Sequence, residues 1–184
     1  MKKSIFLFVI TAISCFNIYS QTVEKSLFSF QTGTFGVWAN NELRLNHSIV
    51  LRTELGLENI VINKTNFHTS NEFVVFPTIS LSPRYYYNLA KRTANGLDIL
   101  NNSGNFFSIN FRFYPEALVI SKEKNITSNS YGYLTPMWGI RRNISYHFSY
   151  EIGAGYGINL NIGEDGEPNE YQPEIHFRIG YHFF

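Results

Sequence analysis

His147, Ser149 and Glu151 stand two residues apart as H-x-S-x-E, the residue types that supply base, nucleophile and orienting carboxylate in nucleophilic hydrolysis. Their spacing works against that chemistry. Same-face neighbours on a strand lie about 7 Å apart, beyond a direct Ser–His hydrogen bond. The three also share a polar row with Gly153, Gly155 and Gly157, so an interior role is the simpler expectation. No catalytic residue is assigned, and a non-enzyme is expected. His147, His176 and His182 are the clustered histidines, but no Cys or carboxylate completes a recognisable ligand spacing. No metal or cofactor is expected.

A second set of chemistry-bearing residues is larger. Arg52, Arg84, Arg112, Arg141 and Arg178, with Glu54, Glu58, Glu151 and Glu174, all fall on one row of an alternating pattern. Five positive charges against four negative ones on a buried row would be very costly unless paired. They predict a hydrogen-bonded ion-pair network. Taking Asn143–Ser145 as a turn places Glu151 across from Arg178 and His147 near His182. Gly153, Gly155 and Gly157 then make room for Arg178, His176 and Tyr133.

The elements that must position these residues are strands. Ile49, Leu51, Thr53, Leu55 and Leu57 oppose Val50, Arg52, Glu54, Gly56 and Glu58. Six segments alternate cleanly in this way, beginning near His47, Phe73, Phe107, Tyr133, Tyr146 and Pro173, and a period of two is the strand signature. A seventh, from about Phe28 to Ala39, has ambiguous facing. An even count requires an eighth strand, and Thr22–Ser29 is the place for it. Pro77, Pro83 and Pro136 are expected at bulges or strand ends. Asn40–Asn46 and Asn143–Ser145 read as short connections, while Asn59–Asn71, Glu116–Ser130 and Asn159–Gln172 are longer and polar. Asn88–Asn105 is long for the side on which it falls.

Composition narrows the setting. The chain has 184 residues, of which 17% are aromatic and 16% charged, against roughly 25% charged in soluble domains. Lys2 and Lys3 precede an apolar run from Ile5 to Ile13, too short for a spanning helix of roughly 20 residues. Residues 1–20 read as a cleaved signal peptide and 21–184 as one barrel domain. Ala12-Ile13-Ser14-Cys15 is a poor lipobox, lacking its leucine. Removing Lys2 and Lys3 leaves 13 basic residues against 14 acidic, a charge of about −1. No basic cluster suits nucleic acid.

A soluble barrel would show the same alternation with the apolar row inside. Three features favour the inverted arrangement, with the apolar row toward lipid. The polar rows carry Arg and Glu at mid-strand but little Lys. Aromatics crowd strand ends, as at Tyr85-Tyr86-Tyr87, Tyr146 and Tyr181-His182-Phe183. The chain also closes on its apolar row. The expected fold is all-β: an antiparallel up-and-down transmembrane β-barrel of eight strands.

With its leader, its alternating strands and the closing FRIGYHF, the chain resembles the small eight-stranded outer-membrane β-barrel family of Gram-negative bacteria, which includes OmpX-like proteins and the OmpA transmembrane domain. The resemblance implies an address in the cell outer membrane, with outer-membrane lipids, periplasmic chaperones and the barrel-assembly machinery as partners. It also implies an assembly signal at Ile175, Phe177, Ile179, Tyr181 and Phe183, although Phe184 extends one residue past the family's terminal aromatic. The function expected is a non-enzymatic envelope barrel with a polar, ion-paired lumen and exposed outer loops, structural or adhesive. The alternatives are a narrow porin-like channel tuned by the lumen charges, or a lipid-modifying hydrolase using His147, Ser149 and Glu151. Asn125-Ile126-Thr127 and the acidic run Glu164–Glu167 read as solvated loop segments.

Overall fold

The computed structural model describes residues 22–62, 72–115, 130–160 and 171–183. The leader, Cys15, the Asn125 sequon, the acidic run Glu164–Glu167 and Phe184 lie outside them. Eight antiparallel strands follow one another around a closed barrel: β1 (Ser26–Gly33), β2 (Gly36–Arg44), β3 (Ile49–Ile62), β4 (Glu72–Tyr86), β5 (Asn105–Tyr114), β6 (Tyr131–Asn143), β7 (Phe148–Leu160) and β8 (Tyr171–His182). Each strand pairs with its sequence neighbour, and β1 closes the ring on β8 from Ser29↔His182 to Gly33↔Arg178. Closure leaves the ladder without a free first or last strand.

Two strand assignments from the sequence are corrected. The stretch Phe28–Ala39 is not one strand: it folds back at Thr34-Phe35, and Gly33 and Gly36 face each other as the last rung of the β1–β2 hairpin. The missing strand comes from this split, not from Thr22–Ser29 alone. The segment Asn40–Asn46 is not a turn either. Residues to Arg44 belong to β2, and the chain reverses over residues 45–48. Likewise Asn143 is still in β6, and the next turn is 144–147.

The three strand prolines need neither bulges nor strand ends. Pro77 and Pro83 pair with Leu57 and Leu51 without a change of register. Pairing on the other side of β4 nevertheless lapses between Leu81 and Arg84, beside Pro83. It lapses again between Leu134 and Met137 of β6, beside Pro136. A proline has no N–H to give the ladder, so its cost here is a missing rung.

The rows divide as the alternation requires. Ile79, Leu81, Ile109, Phe111, Ile152, Ile175, Phe177 and Ile179 point out and are exposed, while Ser80, Ser82, Arg84, Arg112, Glu151 and Arg178 point in and are buried. Small residues fit large ones on the neighbouring strand. A side chain at Gly139 would run into the Phe106 ring, and one at Gly153 into His176.

One end of the barrel, where β1 starts and β8 finishes, is here called proximal. It carries the turns 45–48 and 144–147 and the longer segment 87–104. That segment folds into a short helix, α1 (Leu89–Ala94), and a 3₁₀ turn at Leu100–Asn102. Leu89 packs with Val23, Val50, Tyr86 and Phe106 into an apolar plug across the proximal mouth, with Ile99 against it. Asn101 and Asn102 have φ of 53° and 58°, the left-handed region that Asn tolerates better than most residues. This conformation turns the Asn102 side chain inward, where its amide donates to Glu42 Oε2 (2.8 Å) and its oxygen accepts from the Glu24 backbone N–H (2.7 Å). The Asn101 amide donates to the Tyr146 carbonyl in the neighbouring turn (2.9 Å).

Candidate functional site: the charged lumen

All nine charged residues singled out in the sequence lie on the inward face of the barrel, buried except for the half-buried Glu174. The sequence reading missed a tenth, Glu42, which is fully buried. Within the described residues the lumen therefore holds five arginines and five glutamates. The alternation of Trp38, Asn40 and Glu42 against Val37, Ala39 and Leu43 carries the signal for Glu42. Asn41, on the apolar row, obscures it.

The charges form three layers. Nearest the plug, Glu42 and Glu151 share three arginines. Arg141 reaches Glu42 Oε1 and Glu151 Oε2, both at 2.7 Å. Arg84 forks onto Glu151 at 2.9 and 3.0 Å and lies 3.4 Å from Glu42. Arg52 approaches the same two carboxylates at 3.5 and 3.6 Å. Tyr86 adds a hydroxyl donor to Glu42. Below this, Glu54 takes Arg52 and Arg178, the latter at 2.8 Å. In the third layer Arg112 donates to Glu174 Oε1 (2.6 Å), while Tyr114 (2.7 Å) and Trp38 (3.0 Å) donate to Glu58. Aromatic faces support the cations: Arg178 sits 3.8 Å from the Trp38 ring and Arg84 4.3 Å from Phe106.

Backbone register and side-chain partnership differ. Glu151 does lie across from Arg178, yet Arg178 pairs with Glu54 across the lumen and Glu151 with Arg84 and Arg141. Arg178 and Arg84 reach past their rung neighbours, whereas Arg141 bonds Glu151 along its own rung. Glycine pairings follow the same logic. Gly153 faces His176 and Gly157 lies near Tyr133, but the space Arg178 uses is at Gly33, not on β7.

The H-x-S-x-E residues are not assembled as a set. His147 is in the turn before β7, stacked on Tyr181 with ring centroids 5.3 Å apart, and its Nδ1 meets the His182 carbonyl at 3.2 Å. Ser149 instead meets His182 Nε2 at 2.7 Å, and both side chains are buried. Glu151 is held by arginines. Among the described residues no group of three or more His, Cys, Asp or Glu is placed to hold a metal ion.

Ile175, Phe177, Ile179, Tyr181 and Phe183, the residues expected to carry an assembly signal, form the exposed outer row at the end of the chain, with Phe183 hydrogen-bonding through its N–H to the Phe28 carbonyl (2.9 Å). Around the proximal rim, outward aromatics contact one another. Tyr87 packs on Phe107, Phe28 on Phe183 and Phe148 on Tyr181, with centroids 5.2–5.4 Å apart, and Trp138 donates to the Tyr87 hydroxyl at 3.0 Å.

Between the second and third layers the lumen is nearly full. The space bounded by Arg52, Glu54, Arg84, Arg112 and Arg178 is about 10 Å³, roughly what one water needs. Fold and lumen together define a closed, polar-cored, eight-stranded up-and-down β-barrel. No protein-family model matches the chain, and no curated protein matches it either. Its functional reading therefore rests on the barrel itself.

Proposed function

We propose that this protein is a non-enzymatic outer-membrane β-barrel of the small eight-stranded kind, closed to ions and presenting its distal loops outside the cell. One observation carries the reading: the partition of residues is inside out. Five arginines and five glutamates fill the interior, while Leu55 (63%), Ile175 (72%) and their row neighbours stand exposed on the outer wall. Burying apolar area is worth about 25 cal/mol per Å², so this wall in water would forgo the main driving force of folding. In a bilayer it is the favoured arrangement, with aromatics at the interface. Among the described residues no helix is long and apolar enough to cross a membrane. In a barrel the strands cross instead, and closure satisfies their backbone groups.

The proximal end then faces the periplasm, where chaperones and the assembly machinery would meet the outer row of β8. The role is structural or adhesive. Two features support a closed lumen over a pore: the apolar plug at the proximal mouth and the near-absence of space between the charge layers. Purified protein refolded into a planar bilayer is expected to give no discrete current steps. Regular steps from folded protein would replace this reading with the narrow channel.

A further inference from the structure

The barrel wall is uneven at its distal end. The β1–β2 hairpin turns at Thr34-Phe35, and its last rung on the β8 side is Gly33↔Arg178. β8 continues beyond it for Tyr171–Phe177, pairing there with β7. On the other flank β3 runs past Glu58↔Gly36 to Ile62, pairing with β4. A single further bond, from the Asn59 N–H to the Phe35 carbonyl (2.8 Å), ties β3 to the turn. Above the turn, no described strand joins β8 to β3. Pro173 lies on this part of β8, where an edge tolerates its missing N–H.

A cavity of about 570 Å³ opens at this notch, within the 300–1,000 Å³ usual for small-molecule sites. Its lining comes from every side of the gap: Phe35 on the floor, Asn59 on β3, and Glu174, Ile175 and His176 on β8. Ile175 belongs to the outward row and Glu174 and His176 to the inward one. A cavity touching all three crosses the plane of the wall. Its inner end reaches Trp38, Arg112 and Arg178. Glu58 and Glu174 are already engaged by Arg112, Tyr114, Trp38 and Thr135. The unused hydrogen-bonding capacity is partly that of a donor, since the buried Nε of Arg178 has no hydrogen-bond acceptor, while the Nε of Arg112 faces Glu58 Oε1 at 3.6 Å. The rim, by contrast, is apolar, with Phe35 61% and Ile175 72% exposed.

From this geometry we infer that the notch is a lateral binding site for a long-chain fatty carboxylate taken from the outer leaflet. The carboxylate accepts from Arg178 inside the lumen, and the chain leaves over Phe35 and Ile175 into the bilayer. The inference rests on the membrane reading above.

The two tryptophans are Trp38 and Trp138, so a Trp138→Phe protein in phosphatidylcholine vesicles reports on Trp38 alone. The probe is hexadecanoate carrying bromine, a contact quencher, either beside the carboxylate or at the chain end. Saturable quenching by the first and little by the second is expected, because Trp38 stacks on Arg178. Phe35→Asp at the rim should weaken the first by about tenfold, the effect of losing one buried aromatic contact. Equal quenching by both probes, or none by either, would overturn the inference. A protein that fails to float with the vesicles would instead count against the membrane reading. The probe comparison needs no variant at the notch, so a misfolded Phe35→Asp protein does not decide it.

Discussion

Glu42→Ala is expected to destabilise the folded barrel by about 3–5 kcal/mol, the cost of breaking a buried ion pair by removing one partner. Glu42 is fully buried and faces Arg141, Arg84 and Arg52, and it accepts from Tyr86 and Asn102 as well. Its loss leaves three guanidinium groups sharing Glu151, in a layer closed from water by the Leu89–Phe106 plug. Glu174 provides the comparison. It is half-buried at the open distal end, with Arg112 and Thr135 as its partners, and Glu174→Ala should cost about 1.5–3 kcal/mol. Urea titration in vesicles, scored by the fraction of heat-modifiable folded band, ranks the two. Equal midpoints for Glu42→Ala and the parent would show that the lumen does not depend on charge balance.

Leu55→Arg separates lipid from water as the outer solvent. Leu55 sits at the middle of β3 on the outer row, 63% exposed. An arginine at the bilayer midplane of a barrel costs about 2–4 kcal/mol. The same exposed position in a water-soluble barrel would change stability by within about 0.5 kcal/mol. Folding yield and urea midpoint in vesicles should therefore fall for Leu55→Arg. They should be nearly unchanged for Thr53→Arg only if Thr53, nearer the proximal rim, lets the guanidinium reach the interface.

Much of this fold could be read from alternation alone. From β3 onward, the apolar row of every strand is continuous enough to fix its facing, and the arginines on the opposite rows are visible at once. The first hairpin was hidden for a local reason. Its turn is only Thr34-Phe35, with an exposed aromatic where a polar tip is usual, and Asn41 breaks the outer row of β2. Glu42 disappeared with it, and the charge count came out one glutamate short.

Two further features depend on the third dimension. Register put Arg178 opposite Glu151, but the partner it bonds is Glu54, because in a narrow lumen a long side chain can meet a group across the barrel as well as one along its rung, as Arg141 meets Glu151. The segment 87–104 reads as an over-long connection. Only the closed barrel shows Leu89 reaching Val23, Val50 and Phe106, and Asn102 reaching Glu42. Its length follows from that job as a plug. The Ser149–His182 contact was equally invisible, since the two lie on different strands 33 positions apart.

The central claim is that the outer wall meets lipid and the charged rows meet one another. It is tested most directly by refolding the purified chain in the presence of phosphatidylcholine vesicles and separating it on a flotation gradient at alkaline pH. The protein should float with the vesicles and, unboiled, migrate on a gel apart from the boiled chain. Recovery of a folded, monodisperse protein in the aqueous fraction, without detergent and without a heat-dependent shift, would contradict it.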